Sequence, residues 1–341
     1  MKSLVIIESP FQLLSAIEAQ NNFKIDDLII VIKYTNNPKT NNQIDWILSK
    51  NSFKKIIKLP KFKKISINDY LLAFLIFIWK IRKASFNYIF VGEPRSVIMK
   101  CFILNLKHNN YYLLDDGSST IIIQNQIIKD NNSSILNQHL SKGMTFRKIF
   151  FKILGLKYNF NISANFFTCF NLKSIENQDI LKHNFYHIQE IGKKDSLDNT
   201  VYFIGGNLSE IEAIDQEKEV YLISKIAEYY KNKGLKIIYC CHRRESKIKL
   251  DKISNISNIS KLYFPEYPLE LEFIIKNISA KHISSFCSTA LYTSTLIFKP
   301  DSSVMFKIPV EYIYEPYLIE FEGLEQNFVE NSMIILEENY L

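Results

Sequence analysis

The five cysteines of this 341-residue chain (Cys101, Cys169, Cys240, Cys241 and Cys287) form no CxxC pair, so a reduced, cytosolic protein is the simpler account. Long hydrophobic runs are also missing. The most apolar stretch, Leu71 to Trp79, covers nine residues, against about 20 for a membrane span. The opening run, Lys2 to Ile7, meets Glu8 at once and reads as a first strand, not as a signal peptide. Metal-binding patterns are thin. His183 and His187 have the i, i+4 spacing of some metal-site helices, but no glutamate follows His183 as in zinc proteases, so no metal is expected. Gly205-Gly206-Asn207 lacks the full GxGxxG spacing, which leaves a nicotinamide or flavin fingerprint unsupported.

Apolar residues are plentiful. Hydrophobic residues make up 47% of the chain and aromatics 13%. That supplies a sizeable core, excludes wholesale disorder, and over this length suits two domains of ordinary size. The formal net charge is +7. This excess is compatible with anionic substrates or an acidic membrane surface and is too small to imply nucleic acid.

Strands and helices alternate over the first 115 residues. Leu4-Ile7 reads as a strand, and Pro10 to Gln20 as a helix with Ser9 at its cap and proline at its first position. Strands follow at Leu28-Lys33, Ile56-Leu59, Tyr88-Val91 and Tyr111-Leu114. The intervening helices read as Asn42-Ser49, Asp69 to Lys83 and Pro94 to Leu106. This alternation predicts a doubly wound parallel sheet. Residues 120–195, rich in Asn, Ser, Phe and Lys, read as trailing elements and a connection. A second series begins with a strand at Val201-Ile204 and a helix from Ile214 to Asn232. Strands at Leu235-Cys240, Leu262-Phe264 and Lys281-Ile283 follow, with helices at Pro268-Asn277 and Cys287-Phe298. The expectation is an α/β protein of two Rossmann-like domains, 1–190 and 191–341, with parallel sheets facing a central cleft. No internal repeat marks a duplication.

Ligands of open α/β sheets bind beyond the carboxyl ends of the strands, and four such ends here are polar. Tyr111-Leu114 runs into Asp115-Asp116-Gly117-Ser118, two neighbouring carboxylates that in a desolvated cleft raise each other's proton affinity and suit one of them to be a base. An Asp-Gly pair equally makes a solvated turn. Gly205-Gly206-Asn207 leaves backbone amides open to a ligand. His242 with Arg243 and Arg244 offers a proton donor and two cations for a phosphate leaving group, or else an exposed turn. Ser284-Ser285, with Ser288 and Thr289, supplies hydroxyls and a helix N-terminus, which attracts phosphate when it is more than a cap.

Together these motifs resemble the bacterial GT-B sialyltransferases, especially the glycosyltransferase family 52 enzymes of lipooligosaccharide and capsule synthesis, and the related polysialyltransferases. The D/E-D/E-G motif of those families corresponds to Asp115-Asp116-Gly117. Their His-Pro motif corresponds to His242-Arg243, with arginine where proline is usual, and their Ser-Ser/Thr motif to Ser284-Ser285. Val5-Ile6-Ile7-Glu8-Ser9-Pro10-Phe11-Gln12 looks like the first strand and turn of such enzymes. The resemblance implies a GT-B fold and an inverting transferase that uses a CMP-linked nonulosonic acid, with no cofactor and no metal. It makes Asp116 the general base, Asp115 its orienter and His242 the group that protonates or stabilises the CMP phosphate. Ser284, Ser285, Ser288 and Thr289 would hold that phosphate, Gly205, Gly206, Asn207 and Arg243 would line the donor cleft, and Glu266 to Pro268 would lie near the cytidine. Glu210 is the second candidate base. The acceptor would be a glycan or lipid-linked oligosaccharide. Another CMP-nonulosonate or a UDP-hexose as donor, and a noncatalytic scaffold subunit of a polysaccharide-assembly complex, are the alternatives.

Residues 50–83 hold ten Lys/Arg and one acid, Asp69, interleaved with apolar residues. A similar stretch runs from Lys142 to Lys157. Both fit a cytoplasmic protein attached peripherally to an anionic inner membrane, and both also fit an ordinary basic surface over a core helix.

Overall fold

Central strands that are apolar along most of their length, such as β1 and β2, must be covered on both faces, and this chain builds its strands into two parallel sheets with helices packed on them. The computed structural model describes residues 2–59, 67–130, 145–157, 165–174, 178–189, 199–329 and 334–336. Its two compact units are Met1–His183 and Asn184–Leu341. The boundary expected between 190 and 191 falls within 190–198, outside the described residues.

The N-terminal unit has seven strands in the order β3-β2-β1-β4-β5-β6-β7. They are β1 (Lys2–Ile7), β2 (Asp27–Ile32), β3 (Lys55–Lys58), β4 (Ser85–Val91), β5 (Lys107–Leu114), β6 (Phe166–Thr168) and β7 (Ile180–Lys182). Every pairing is parallel. The helices are α1 (Pro10–Asn22), α2 (Pro38–Lys50), α3 (Ile67–Ile81), α4 (Val97–Asn105), α5 (Ser118–Asp130) and α6 (Thr145–Ile153). Ser9 caps α1 by accepting the Gln12 amide, with Pro10 opening the helix. Leu4, Ile6, Ile89, Val91 and Leu113 from the sheet pack with Phe74, Ile78, Phe102 and Phe151 from the helices. The stretch read as trailing elements in fact continues this sheet: α5, α6, β6 and β7 all belong to it. His183 follows β7 and lies outside the short helix α7 (Tyr186–Gln189), so His183 and His187 do not share a helical face.

The C-terminal unit has six strands in the order β10-β9-β8-β11-β12-β13. They are β8 (Thr200–Ile204), β9 (Lys236–Cys240), β10 (Ile259–Tyr263), β11 (His282–Ser285), β12 (Ser302–Phe306) and β13 (Ile334–Leu336). Among the described residues the helices after α7 are α8 (Gln216–Asn232), α9 (Lys247–Ser254), α10 (Leu269–Ile275), α11 (Thr289–Phe298) and α12 (Glu315–Val329). Phe203, Tyr239 and Phe306 bring three strands into one aromatic core with Tyr230 and Phe286. The expected series stopped at Phe298; β12, α12 and β13 extend it. Among the described residues no helix is long and apolar enough to cross a membrane.

Candidate active site

In each sheet the chain reverses direction beside its first strand, between β1 and β4 in one unit and between β8 and β11 in the other. Such switch points open a crevice at the carboxyl ends of the strands. In the N-terminal unit the ends of β1, β4 and β5 carry Glu8-Ser9, Glu93 and Asp116.

Asp116 sits two residues past the buried end of β5, and Gly117 at φ 64° turns the chain there, a conformation that favours glycine. The Asp116 amide donates to Thr120 Oγ1 at 2.9 Å, and the Ser9 hydroxyl donates to Asp116 Oδ1 at 3.2 Å. Burial pushes the Asp116 carboxyl up to about 6. Glu93 and Glu8 add to the rise, while Gln12 and Ser9 pull against it. A carboxylate near 6 is ionised at neutral pH and still holds a proton well, the balance a general base needs.

Asp115 does not supply the raised affinity that the paired carboxylates suggested. It is fully buried and accepts from the Thr168 hydroxyl at 2.5 Å and the Cys169 amide at 2.7 Å, with His183 Nε2 at 3.2 Å. It ties the end of β5 to the ends of β6 and β7. Glu93 and Glu8 replace it as the neighbours of Asp116.

Of four charged residues around Asp116, three went unnoticed in the sequence, and Glu8 was read only as part of the first strand and turn. Arg95 meets Glu93 with Nε at 2.9 Å from Oε1 and Nη2 at 2.7 Å from Oε2, and also reaches Ser119 Oγ at 3.3 Å. Burial raises the affinity of Glu93 for a proton, but Arg95 outweighs it and keeps this carboxylate ionised. Lys33 pairs with Glu8. Glu93 and Arg95 follow β4 in Gly92-Glu93-Pro94-Arg95, so the strand-end rule could have found them.

In the C-terminal unit Gly205, Gly206 and Asn207 follow β8, and His242 and Arg243 follow β9. Residue 205 has to be glycine, because a Cβ there would lie 2.6 Å from the Tyr239 hydroxyl. His242 departs from expectation as a proton donor. Burial, then Arg243 and Arg244, lower its imidazole to about 4, so the free protein carries it neutral at pH 7. Arg243 and Arg244 are exposed.

Glu210 makes a poor base. Burial alone would raise its pKa, but the Ser246 amide at 2.7 Å and Lys249 Nζ at 3.1 Å outweigh burial and hold it below the usual range. Ser284 and Ser285 lie inside the central strand β11 and are buried, and Ser285 Oγ donates to the Ile204 carbonyl at 2.7 Å. The Ser285 hydroxyl is thus engaged by the fold itself. Ser288 and Thr289, half-buried, open α11 without a side-chain cap. Glu266 is exposed, and its amide and that of Tyr267 donate to Glu272 Oε2 at 3.2 and 3.0 Å, which orders the loop after β10.

Solved structures share this architecture. An alpha/beta-galactoside alpha-2,3-sialyltransferase from the luminous marine bacterium Photobacterium phosphoreum superposes with a TM-score of 0.54 at 13% identity, covering 100% of both chains. A putative UDP-N-acetylglucosamine 2-epimerase from Listeria monocytogenes gives 0.51 at 8% identity over 96% of this chain and 87% of its own. No curated protein sequence matches the chain. The two parallel α/β units define a GT-B glycosyltransferase fold. The family model of alpha-2,8-polysialyltransferase matches residues 3–307, and the chain belongs to that family. It is thus a glycosyltransferase of the sialyltransferase kind, acting with a nucleotide-sugar donor on a glycan acceptor. The match falls on the polysialyltransferases, which the motifs had placed beside the family 52 enzymes.

Proposed function

We propose that the chain is an inverting sialyltransferase that moves a nonulosonic acid from a CMP-activated donor to a glycan hydroxyl in surface-polysaccharide or lipooligosaccharide synthesis. The observation that carries this reading is Asp116, a carboxylate raised by burial to about 6 just past the carboxyl end of β5 and bonded by the Ser9 hydroxyl. Asp116 takes the proton of the acceptor hydroxyl as its oxygen attacks the anomeric carbon. The bond from that carbon to the phosphate oxygen breaks, and CMP leaves with the electron pair. Attack opposite the leaving group inverts the configuration. The exposed Arg243 and the open first turn of α11 at Ser288-Thr289 favour the phosphate by charge and by the helix dipole. Neutral His242 donates a hydrogen bond, and the growing phosphate charge raises its proton affinity as CMP departs. With protein cations in these roles the reaction needs no metal.

Incubation of the purified chain with CMP-sialic acid, and with UDP-hexoses in parallel, tests this reading. The acceptor panel is a galactoside and an α2,8-linked disialyl glycan. CMP release that is acceptor-dependent and unchanged by EDTA is expected. Turnover only with a UDP-hexose would overturn the donor assignment.

The reading extends to peripheral attachment at the cytoplasmic face of the inner membrane. Trp79 at the end of α3 and Ile149 and Ile153 on α6 are exposed, as are Lys80, Lys83, Lys152 and Lys157. Arg82 lies over the Trp79 ring and donates to the Leu154 carbonyl at 3.1 Å, which joins the two helix ends. Residues 70–92 and 145–157 contain no acid. Phe62 and Ile65 of the basic stretch lie outside the described residues. Apolar anchors ringed by cations suit an anionic leaflet. In flotation with phosphatidylglycerol vesicles the protein should rise at low salt and be released at high salt, and Trp79→Ser with Ile153→Asp should abolish the rise. A wholly unbound pool at low salt would refute attachment.

A further inference from the structure

Beneath the two loops that carry Gly206 and His242 lies a buried cluster of charges. Lys249 on α9 has a fully buried side chain. Its Nζ lies 2.7 Å from Glu219 Oε1, 3.1 Å from Glu210 Oε2 and 3.1 Å from Glu245 Oε1, and it donates to the Gly206 carbonyl at 2.8 Å. Each carboxylate then reaches backbone. Glu245 Oε2 accepts the His242 amide at 2.5 Å, and Oε1 accepts the Tyr239 hydroxyl at 2.6 Å. Glu210 Oε1 accepts the Ser246 amide at 2.7 Å, and Glu219 Oε2 the Ser209 amide at 3.0 Å. One ammonium therefore clamps residues 206–210 after β8 to residues 242–246 after the neighbouring strand β9.

Stability alone is a poor reason for such a cluster, since well-packed apolar side chains often do as well or better. Its bonds have a pattern that stability does not require. They end on the backbone of the two loops, and none of them is made to the imidazole ring of His242. The Tyr239 hydroxyl occupies the space a Cβ of residue 205 would fill, so the same network also sets the height of the glycine loop.

We propose that Glu245 and Lys249 are positioning residues for sialyl transfer, holding the glycine loop and the His242 loop at the spacing that receives the donor phosphate. This rests on the donor reading given above. Neither residue touches the donor. Glu245 sets the direction of the His242 amide and Lys249 fixes the Gly206 carbonyl, so the donor meets preorganised groups.

The test compares Glu245→Leu, Tyr239→Phe and Glu219→Gln in the full chain. Three carboxylates surround one lysine, so losing one acid lowers the excess negative charge and the fold should persist. Calorimetry with CMP reads donor-site affinity, and NMR titration of the His242 ring reads loop placement without any nucleotide. Glu245→Leu should weaken CMP about tenfold or more and, as the loosened loop lets solvent relieve the burial that depresses the ring, move the His242 titration upward from about 4. Tyr239→Phe should do the same to a smaller extent. Glu219→Gln removes the same charge but keeps the His242 amide bond, and should not move the imidazole titration upward. Unaltered His242 titration in both Glu245→Leu and Tyr239→Phe would overturn the proposal, and so would a shift of equal size in Glu219→Gln. If Glu245→Leu does not fold, Tyr239→Phe against Glu219→Gln decides the matter. If CMP fails to bind the wild-type chain, the donor reading falls while the titration still judges the positioning role.

Discussion

Asp116→Asn lowers the rate of sialyl transfer about 10²- to 10⁴-fold, the span that a positioned general base contributes, and leaves donor binding nearly unchanged. Asparagine keeps the shape and can still accept the Ser9 hydroxyl, so the loss reports the missing base. The pH profile supplies the signature. With the Asp116 carboxyl at about 6, kcat/KM should rise through pH 6 and level off above it, and this acid limb should vanish from the residual activity of the variant. A variant that keeps more than a tenth of the wild-type rate, or a limb that stays at pH 6 in it, would assign the base elsewhere.

The same substitution has a stability consequence of opposite sign. Burial raises the Asp116 pKa from an ordinary 3.8 to about 6, so the folded chain disfavours the ionised form. Below pH 3.8 the group is protonated in both folded and unfolded chains and costs nothing. As pH rises through about 6 the wild type accumulates a penalty of at most about 3 kcal/mol, lessened by the solvent that reaches the half-buried side chain. Asp116→Asn should therefore melt higher than the wild type at pH 7 and together with it near pH 4. A raised melting temperature beside a lost rate is what a strained catalytic carboxylate predicts.

The fold was legible where strands were long and apolar. Leu4-Ile7 and Tyr88-Val91 are continuous runs that end in polar residues, and both lie in the centre of a sheet. β6 and β7 have only three residues each, embedded in Asn- and Lys-rich chain, and a three-residue strand displays no period. At the site the strand-end rule pointed to Asp115 and Asp116 together and could not separate them. Side chains alternate faces along a strand, so two adjacent carboxylates part company: Asp115 turned inward to Thr168 and His183, and Asp116 toward Ser9. For Ser284 and Ser285 the sequence could not show that β11 is a central strand in which both residues are buried. Lys249 was invisible. In Lys247-Ile248-Lys249 it looks like one more solvated lysine, and its three acidic partners lie 4 to 39 residues away.

Lys249→Met should cost the C-terminal unit about 3–5 kcal/mol, the usual loss when a buried ion pair is broken from one side, and lower its melting temperature by on the order of 10 °C. The size follows from what remains. Glu210, Glu219 and Glu245 have 17%, 0% and 0% side-chain exposure, and all three face the vacated position. Burial already raises the Glu245 pKa even with the ammonium present. Without it, burial acts on Glu245 with its main opposing charge gone, and its folded pKa rises further above the unfolded one. The sign is then settled: the penalty is full at pH 8 and shrinks as pH falls and the acids protonate. Melting curves of Lys249→Met and wild type at pH 8 and pH 5 should show a gap that narrows markedly at pH 5. Adding Glu219→Met should recover part of the loss at pH 8, because it removes one of the unpaired charges. A deficit that is equal at both pH values would mean that the cavity left by the lysine stem, and not the uncompensated charge, destabilises the variant.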